Sequence, residues 1–340
     1  MLLDVTIPVD ANPLPLAASL ARAAEEMGFA ALWTTETRHN GFLPIVLAAE
    51  HSQRITLGSA VAIAFPRSPM ITAQIAWDLA AFSGGRFILG LGTQVRAHIE
   101  RRFSAPFDPP IARMRDYIGA LRAIWSSWQH GERLNYQGPF YQHTLMTPFF
   151  NPGQIDHPQI PIAIAGVNSG LAQLAGELCD GFLAHPLNSA SYLREVLRPQ
   201  IAAGEAKAGR EAGACTLAGN IFVITGPDAA SRAAMRTAVR QQIAFYGSTP
   251  SYRPVLQQHG WGDVGEQLSF LASKQRWGEL VALISDEMVE TFALEAPPEA
   301  LGRAIRERFD GLLDRVSLYI PFVPGQQDAF WRGLVHEIHG

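Results

Sequence analysis

Cysteine is nearly absent from this 340-residue chain: only Cys179 and Cys215 occur, too few for a disulfide framework or a cysteine-rich metal site. Long apolar runs are missing too, with none near the ~18 residues that a membrane-spanning helix needs. The first residues, MLLDVTIPVD, carry Asp4 and no basic region, so they do not read as a signal peptide. Charge is scarce at 17% of residues, and a net charge of −4 leaves no electrostatic footprint for nucleic acid. There is no G-x-S-x-G elbow and no P-loop lysine motif, which removes support for a serine hydrolase or a nucleoside triphosphatase. What is plentiful is apolar surface, 48% of residues. That excess excludes disorder and favours an interior-rich globular enzyme, expected in a reducing, cytoplasmic setting.

The apolar residues recur as one repeated unit: a short strand, a loop, then an amphipathic helix. Strands are expected over 2–9, 30–34, 55–63, 86–91, 160–165, 181–183, 217–225 and 315–320. Between them, Leu16, Leu20, Ala24 and Met27 share a helical face after Asn12-Pro13, and Ile71, Ile75, Leu79 and Phe82 do so after Ser68-Pro69. A longer helix places Ile111, Met114, Ile118, Leu121, Trp125 and Trp128 at spacings of three and four. Eight such units imply an α/β fold with a parallel sheet, best closed as a (β/α)8 TIM barrel in a single domain spanning 1–340. Two stretches, near 130–159 and 247–296, look irregular and read as insertions. They are expected at the C-terminal rim, where barrel enzymes build their sites.

Chemistry is concentrated at the strand ends. Gly90 and Gly92 in Leu89-Gly-Leu-Gly-Thr93 make a weak dinucleotide fingerprint, since no third glycine follows; relief of crowding or close approach of a flat ligand explains them as well. Gly166-Val167-Asn168-Ser169-Gly170 sits between a strand and a helix, and free N–H groups there suit an anion, an ordinary helix cap being the alternative. The run from Thr34 to Asn40 follows strand two, and Arg96, His98 and Glu100 follow strand four. His98-Ile99-Glu100 has no third ligand at suitable spacing, so no metal site is expected.

Three segments together resemble the bacterial luciferase-like flavin and deazaflavin oxidoreductase superfamily: residues 27–36 (MGFAALWTTE), 54–61 (RITLGSAV) and 83–93 (SGGRFILGLGT). Residues 161–170 and 175–181 agree in the second half. Stretches 141–151, 245–250 and 259–261 are similar to the branch classed as F420-dependent oxidoreductases. The resemblance implies a barrel that binds coenzyme F420, or alternatively FMN, at its C-terminal rim, commonly as a homodimer. It implies an acidic residue, Glu36, beside the ring, and a non-proline cis peptide, most simply Ala60–Val61, propping it. It also implies ring-lining Thr93 and His98 and a phosphate clasp from Gly166, Val167, Asn168, Ser169 and Gly170. Two positions depart from the pattern of sugar-phosphate-oxidising relatives: Thr37 stands where they have histidine, and Val95 where they have a proposed proton donor. The acid–base group is therefore open among Glu36, His39 and His98. Hydride transfer, FMN-dependent oxygenation and cofactor binding without turnover all remain readings. Phe65, Trp261 and the Phe149-Phe150 region are candidate apolar walls, and Arg67, Arg96, Arg101 and Arg102 are candidate partners for the acidic tail of F420.

Overall fold

In the computed structural model, which describes residues 1–7 and 13–339, eight parallel strands close on themselves. They are β1 (Leu2–Thr6), β2 (Ala31–Thr34), β3 (Thr56–Ser59), β4 (Phe87–Gly92), β5 (Ile162–Gly166), β6 (Gly181–Ala184), β7 (Thr216–Ile224) and β8 (Arg315–Leu318). Each pairs with its neighbour in sequence, and β8 returns to β1 with Leu2 opposite Arg315 and Asp4 opposite Ser317. The expected closed α/β barrel is the fold observed. Asn12 and Val9, expected as a helix cap and a strand end, lie outside the described residues.

Alternation along the strands sends one set of side chains outward, against the helices, and the other into the barrel. Leu3, Val5, Leu32, Leu57, Leu89, Leu91, Ile162, Ile164, Leu217 and Val316 are buried in the outer shell. They meet α1 (Pro13–Met27), α2 (Leu43–Glu50), α3 (Pro69–Phe82), α5 (Pro110–His130, after the short α4, Arg96–Arg101) and α6 (Ser169–Leu178) through residues such as Leu20, Ala24, Ala73, Ala76, Ile118, Leu121 and Leu174. Each full apolar side chain in this layer contributes about 1.5–3 kcal/mol of burial. Inside the barrel, Asp4 accepts the Trp33 indole N–H at 2.9 Å and two Arg315 N–H groups at 2.8 and 2.7 Å. This plug of charge and aromatic ring closes the lower interior. Higher in the barrel the inward residues become partly accessible, as at Ala165, Leu183, Asn220 and Ser317.

One break in the strands matters for the rim. β3 stops at Ser59, a cis peptide joins Ala60 to Val61, and Ala62–Ile63 resumes pairing with Leu91 and Gly92 of β4. Ser59 Oγ accepts the Gly90 N–H at 3.0 Å and donates to the Gly90 carbonyl at 2.8 Å. A Cβ on Gly90 would stand 1.7 Å from the Ser59 carbonyl oxygen, and one on Gly92 would stand 2.5 Å from Val61 Cγ2. The two glycines are therefore relief for a crowded strand crossing, not a dinucleotide fingerprint.

The insertions differ in origin. Residues 131–161 leave the foot of α5, and a hairpin (Tyr136–Gln137 with Gln142–His143) climbs back along that helix. Asp116 pins it by accepting from the Tyr136 hydroxyl at 2.6 Å and from the Phe140 and Tyr141 N–H groups at 2.7 and 2.8 Å. The second insertion belongs to one excursion, 225–296, from the C-terminal end of β7. It runs through α7 (Ala229–Gly247), α8 (Arg253–Gln258), α9 (Gly262–Ser273) and α10 (Asp286–Phe292), then lays Ala293–Glu295 beside Phe222–Ile224. Its expected irregular stretch is thus mainly helical. The helices there are short and pack on one another through Val255, Leu256 and Leu268, so no long stripe advertises them. A helix, Leu301–Phe309, leads into β8, and another, Asp328–His339, follows it. Among the described residues no helix is long and apolar enough to cross a membrane.

Gly90→Ala forces a methyl group into the Ser59 carbonyl, and no flexible side chain is there to yield. It should lower unfolding free energy by about 3 kcal/mol or more in urea denaturation. Gly278→Ala, with nothing within 4 Å of the added carbon, should be neutral or up to about 1 kcal/mol stabilising. Equal effects would remove the crowding argument.

Candidate active site

Glu36 lies just past β2, and its carboxylate is fully engaged. Oε2 accepts the Ile63 N–H at 2.7 Å and Arg67 Nη1 at 2.7 Å, while Oε1 takes Arg67 Nη2. The pair is largely buried, and the Arg67 guanidinium also lies 5.4 Å from the Phe42 ring centre. Ala60 N–H donates to the Thr34 carbonyl at 2.6 Å. Glu36, Ala60 and Val61 are therefore brought together, with the carboxylate clamping the far side of the cis-peptide bulge. Arg67 is committed to this clamp.

His39 and His98 are both exposed, the first in the loop after Glu36 and the second on α4. Thr93 is half-buried at the end of β4, and Gln94 follows with φ +55°, its side chain accepting the Val95 N–H at 2.9 Å. Arg96 is paired with Glu100 at 2.9 Å and lies over Phe107; Arg102 donates to the Thr37 carbonyl; Arg101 is exposed. Phe65 is buried beneath Arg113, whose guanidinium sits 4.8 Å from its ring centre. Phe149 and Phe150 are 89% and 67% exposed and meet edge to face at 5.1 Å. Trp261 stacks on His259 at 5.0 Å, and His259 Nε2 lies 2.8 Å from Ser189 Oγ, which fastens the excursion to the loop after β6. Burial holds the His259 imidazole below its usual range.

At the end of β5 the chain turns through Gly166 and Val167 into α6, with Asn168 at the cap position. Asn168 makes no capping hydrogen bond, and its carboxamide oxygen is buried without a partner. The Ala172 N–H donates to the Asn168 carbonyl at 3.2 Å. The N–H groups of the first turn thus keep their donors, as helix starts do when no side chain caps them. Of the two sequence readings, an ordinary cap does not describe this turn. Its free first-turn donors are of the kind that an anion can take. Tyr192 fixes the turn by donating to the Val167 carbonyl at 3.0 Å.

One strand further on, at the end of β6, sits His185, a residue outside the candidates read from the sequence. Its backbone N–H approaches the Gly166 carbonyl at 3.4 Å, so it adjoins the turn just described. Burial pushes its imidazole pKa down to about 3. Tyr246 and Tyr252 pack against it, Tyr319 packs on Tyr246, and burial raises the Tyr246 and Tyr252 phenols. The available signal was the dipeptide His185-Pro186 directly after an apolar strand. At the opposite, N-terminal end of the barrel lies a cavity of ≈ 440 Å³ lined by Arg122, Trp125, Gln129, Pro158 and Asp180, away from all these groups.

The sequence profile described as luciferase-like monooxygenase matches residues 5–315. An uncharacterized protein of Mycobacterium tuberculosis is 48% identical over 314 residues, 92% of each chain. A 5,10-methylenetetrahydromethanopterin reductase of Archaeoglobus fulgidus is 29% identical over 317 residues, 91% of this chain and 90% of the other. The structure of the coenzyme F420 dependent tetrahydromethanopterin reductase from Methanopyrus kandleri shares the fold. Its TM-score is 0.78 at 21% identity, covering 99% of this chain and 98% of that one.

Glu36→Gln leaves Arg67 without its countercharge in a largely buried position. Breaking such a pair costs about 3 kcal/mol, so urea unfolding should show a loss of that order. A variant as stable as the parent would mean the carboxylate is not the clamp.

Proposed function

The chain belongs to the luciferase-like monooxygenase family, and from that premise we propose that it is an oxidoreductase transferring a hydride between coenzyme F420 and a small or medium organic substrate. The observation that carries this reading is the uncapped start of α6, where Asn168 leaves both its own oxygen and the first-turn donors unused. Similarity over nine-tenths of the chain to a methylenetetrahydromethanopterin reductase, and a shared fold with one described as F420 dependent, favour the deazaflavin.

When bound, the cofactor supplies a ring carbon that gives or accepts a hydride. The residues present suit such a group. Gly166, Val167, Asn168, Ser169 and Gly170 receive its phosphate through backbone donors. Ala60 and Val61, half-buried at the bulge, support the ring, with Thr93 on the neighbouring strand end. Glu36 and Arg67 keep that bulge in place. Rim segments exclude water, so that ring and substrate carbon can be held at about 3–3.5 Å. A second reading, FMN-dependent oxygenation with reduced flavin and O2, is favoured by the family's description as monooxygenases and uses the same turn for the FMN phosphate.

The proposal includes a homodimer in the cytoplasm. α2 and α3 pack on each other and expose Leu43, Val46, Ile71 and Phe82 at 53, 42, 51 and 56%, an apolar face of the kind that a second copy covers. Both cysteines are free and buried, which suits a reducing compartment. Light scattering should give twice the 37.1 kDa chain mass, and Ile71→Glu should shift it to one chain; a monomeric parent removes the dimer.

Titration with F420 and with FMN, read by ring fluorescence, separates the two cofactors. F420 should bind and FMN respond weakly. Ser169→Asp places negative charge where the phosphate is received while remaining favourable for the helix itself, so it should weaken F420 binding at least tenfold, about 1.4 kcal/mol, at unchanged melting temperature. Tight FMN binding without an F420 response overturns the reading.

A further inference from the structure

The corner of the rim between β6 and β8 holds polar groups that the cofactor reading leaves unused. His185 ends β6 with its ring centre 4.5 Å from those of Tyr246 and Tyr252. Its Nδ1 accepts the Leu187 N–H at 3.1 Å, which leaves the ring proton on Nε2. Asn188 grips its carbonyl from the other side, so the imidazole is positioned at both ends of the residue. On the next strand, Asn220 lies opposite Ser317 of β8 and two residues beyond Ala218, the partner of Leu183. Strand alternation turns Asn220 inward, away from Ile221 and Leu217 in the outer shell. Its carboxamide oxygen is buried and has no partner. Phe222, two residues on, packs against Tyr246 and Tyr319 at 6.4 and 5.0 Å, and the hydroxyls of these two tyrosines meet at 2.7 Å.

The chemistry of this corner is selective. It offers a neutral N–H donor, an unused amide acceptor, a phenol pair and aromatic walls. No charged side chain contributes to the protonation of His185, which burial alone keeps neutral at physiological pH. Arg67, a rim cation, is paired with Glu36. An anionic group entering here would lose hydration and meet no countercharge, whereas a carbonyl or hydroxyl would gain a donor and an acceptor. The three acid–base candidates from the sequence are otherwise disposed: Glu36 in its ion pair, His39 and His98 in solvent.

We infer that this corner is the substrate pocket and that it takes an uncharged carbonyl or hydroxyl compound, its oxygen bound by His185 Nε2–H beside Asn220 and the Tyr246–Tyr319 pair. The inference rests on the proposed oxidoreductase reading and narrows its substrate class. His185 acts here by binding and orienting the oxygen; it need not change protonation state. A bound carbonyl is polarised by this neutral donor, which does not titrate near pH 7.

The test uses the full chain labelled with ¹⁵N-histidine and two probes of similar size, acetophenone and benzoate, each titrated with and without F420. The His185 signals are assigned through His185→Gln. Acetophenone should move the His185 Nε2 resonance saturably, and benzoate should bind at least tenfold more weakly. His185→Leu should lose at least tenfold in acetophenone affinity, and His185→Gln, which keeps a donor, should recover part of it. Tyr319→Phe, which retains the ring packing, should weaken binding severalfold and serves if His185→Leu does not fold. Equal or tighter benzoate binding, or no movement of His185 with acetophenone, overturns the inference. A failed F420 titration alongside acetophenone binding at His185 would strike the cofactor reading and leave the pocket standing. The reverse pattern would strike only the pocket.

Discussion

Glu36 ties together three parts of the rim that sequence separates. From the end of β2 it reaches the Ile63 N–H beyond the broken strand β3 and the Arg67 guanidinium at the approach to α3. On the other side of the break, Ser59 and Val61 press against β4 where only glycine leaves room. The bulge is thus held by a charge pair on one flank and by steric contact on the other. The two constraints flank the cis peptide between Ala60 and Val61. Everything proposed for the ring depends on that edge being fixed, because a flat cofactor needs a surface that does not move with it.

Around this edge the rim divides its chemistry by strand. β5 ends in a turn with spare donors and no cap, suited to a phosphate. β6 to β8 end in a neutral imidazole, an unpartnered carboxamide and a pair of phenols, suited to an uncharged oxygen. The excursion after β7 supplies Tyr246 and Tyr252 to the second group and is anchored to the β6 loop through His259 and Ser189. The insertion that lengthens the chain beyond an ordinary barrel therefore furnishes part of the pocket wall. The low charge content has a counterpart here, since the rim cations are mostly occupied by carboxylates or carbonyls.

Repetition made the barrel legible. Eight apolar strands with helices between them are a pattern that short-range periodicity records, and the helix start at Ser68-Pro69 is visible as a motif; Ser68 Oγ does accept the Met70 N–H at 3.1 Å. The glycines of β4 were visible, but their reason was not, because the partner that crowds them is 31 residues away. The same distance hid the pairing of Arg67 with Glu36, so an arginine that looked free for an anionic tail proves committed. The turn at Gly166–Gly170 reads as an anion site with an ordinary cap as the alternative, and the absence of a capping bond from Asn168 is not legible in the sequence. His185 carries little signal because it is a lone polar residue between Ala184 and Pro186, unlike the longer polar runs after strands two and four. The helices of the excursion were illegible since they bury apolar residues against each other, without a stripe long enough to register.

A crystal structure of the chain with F420 tests the central claim most directly. The account predicts the phosphate within about 3.2 Å of first-turn N–H groups of α6, the ring against Ala60–Val61, and the corner beside His185 left open for substrate. Cofactor found elsewhere, for instance in the cavity at the N-terminal end of the barrel, or with its phosphate away from Asn168–Gly170, would contradict it.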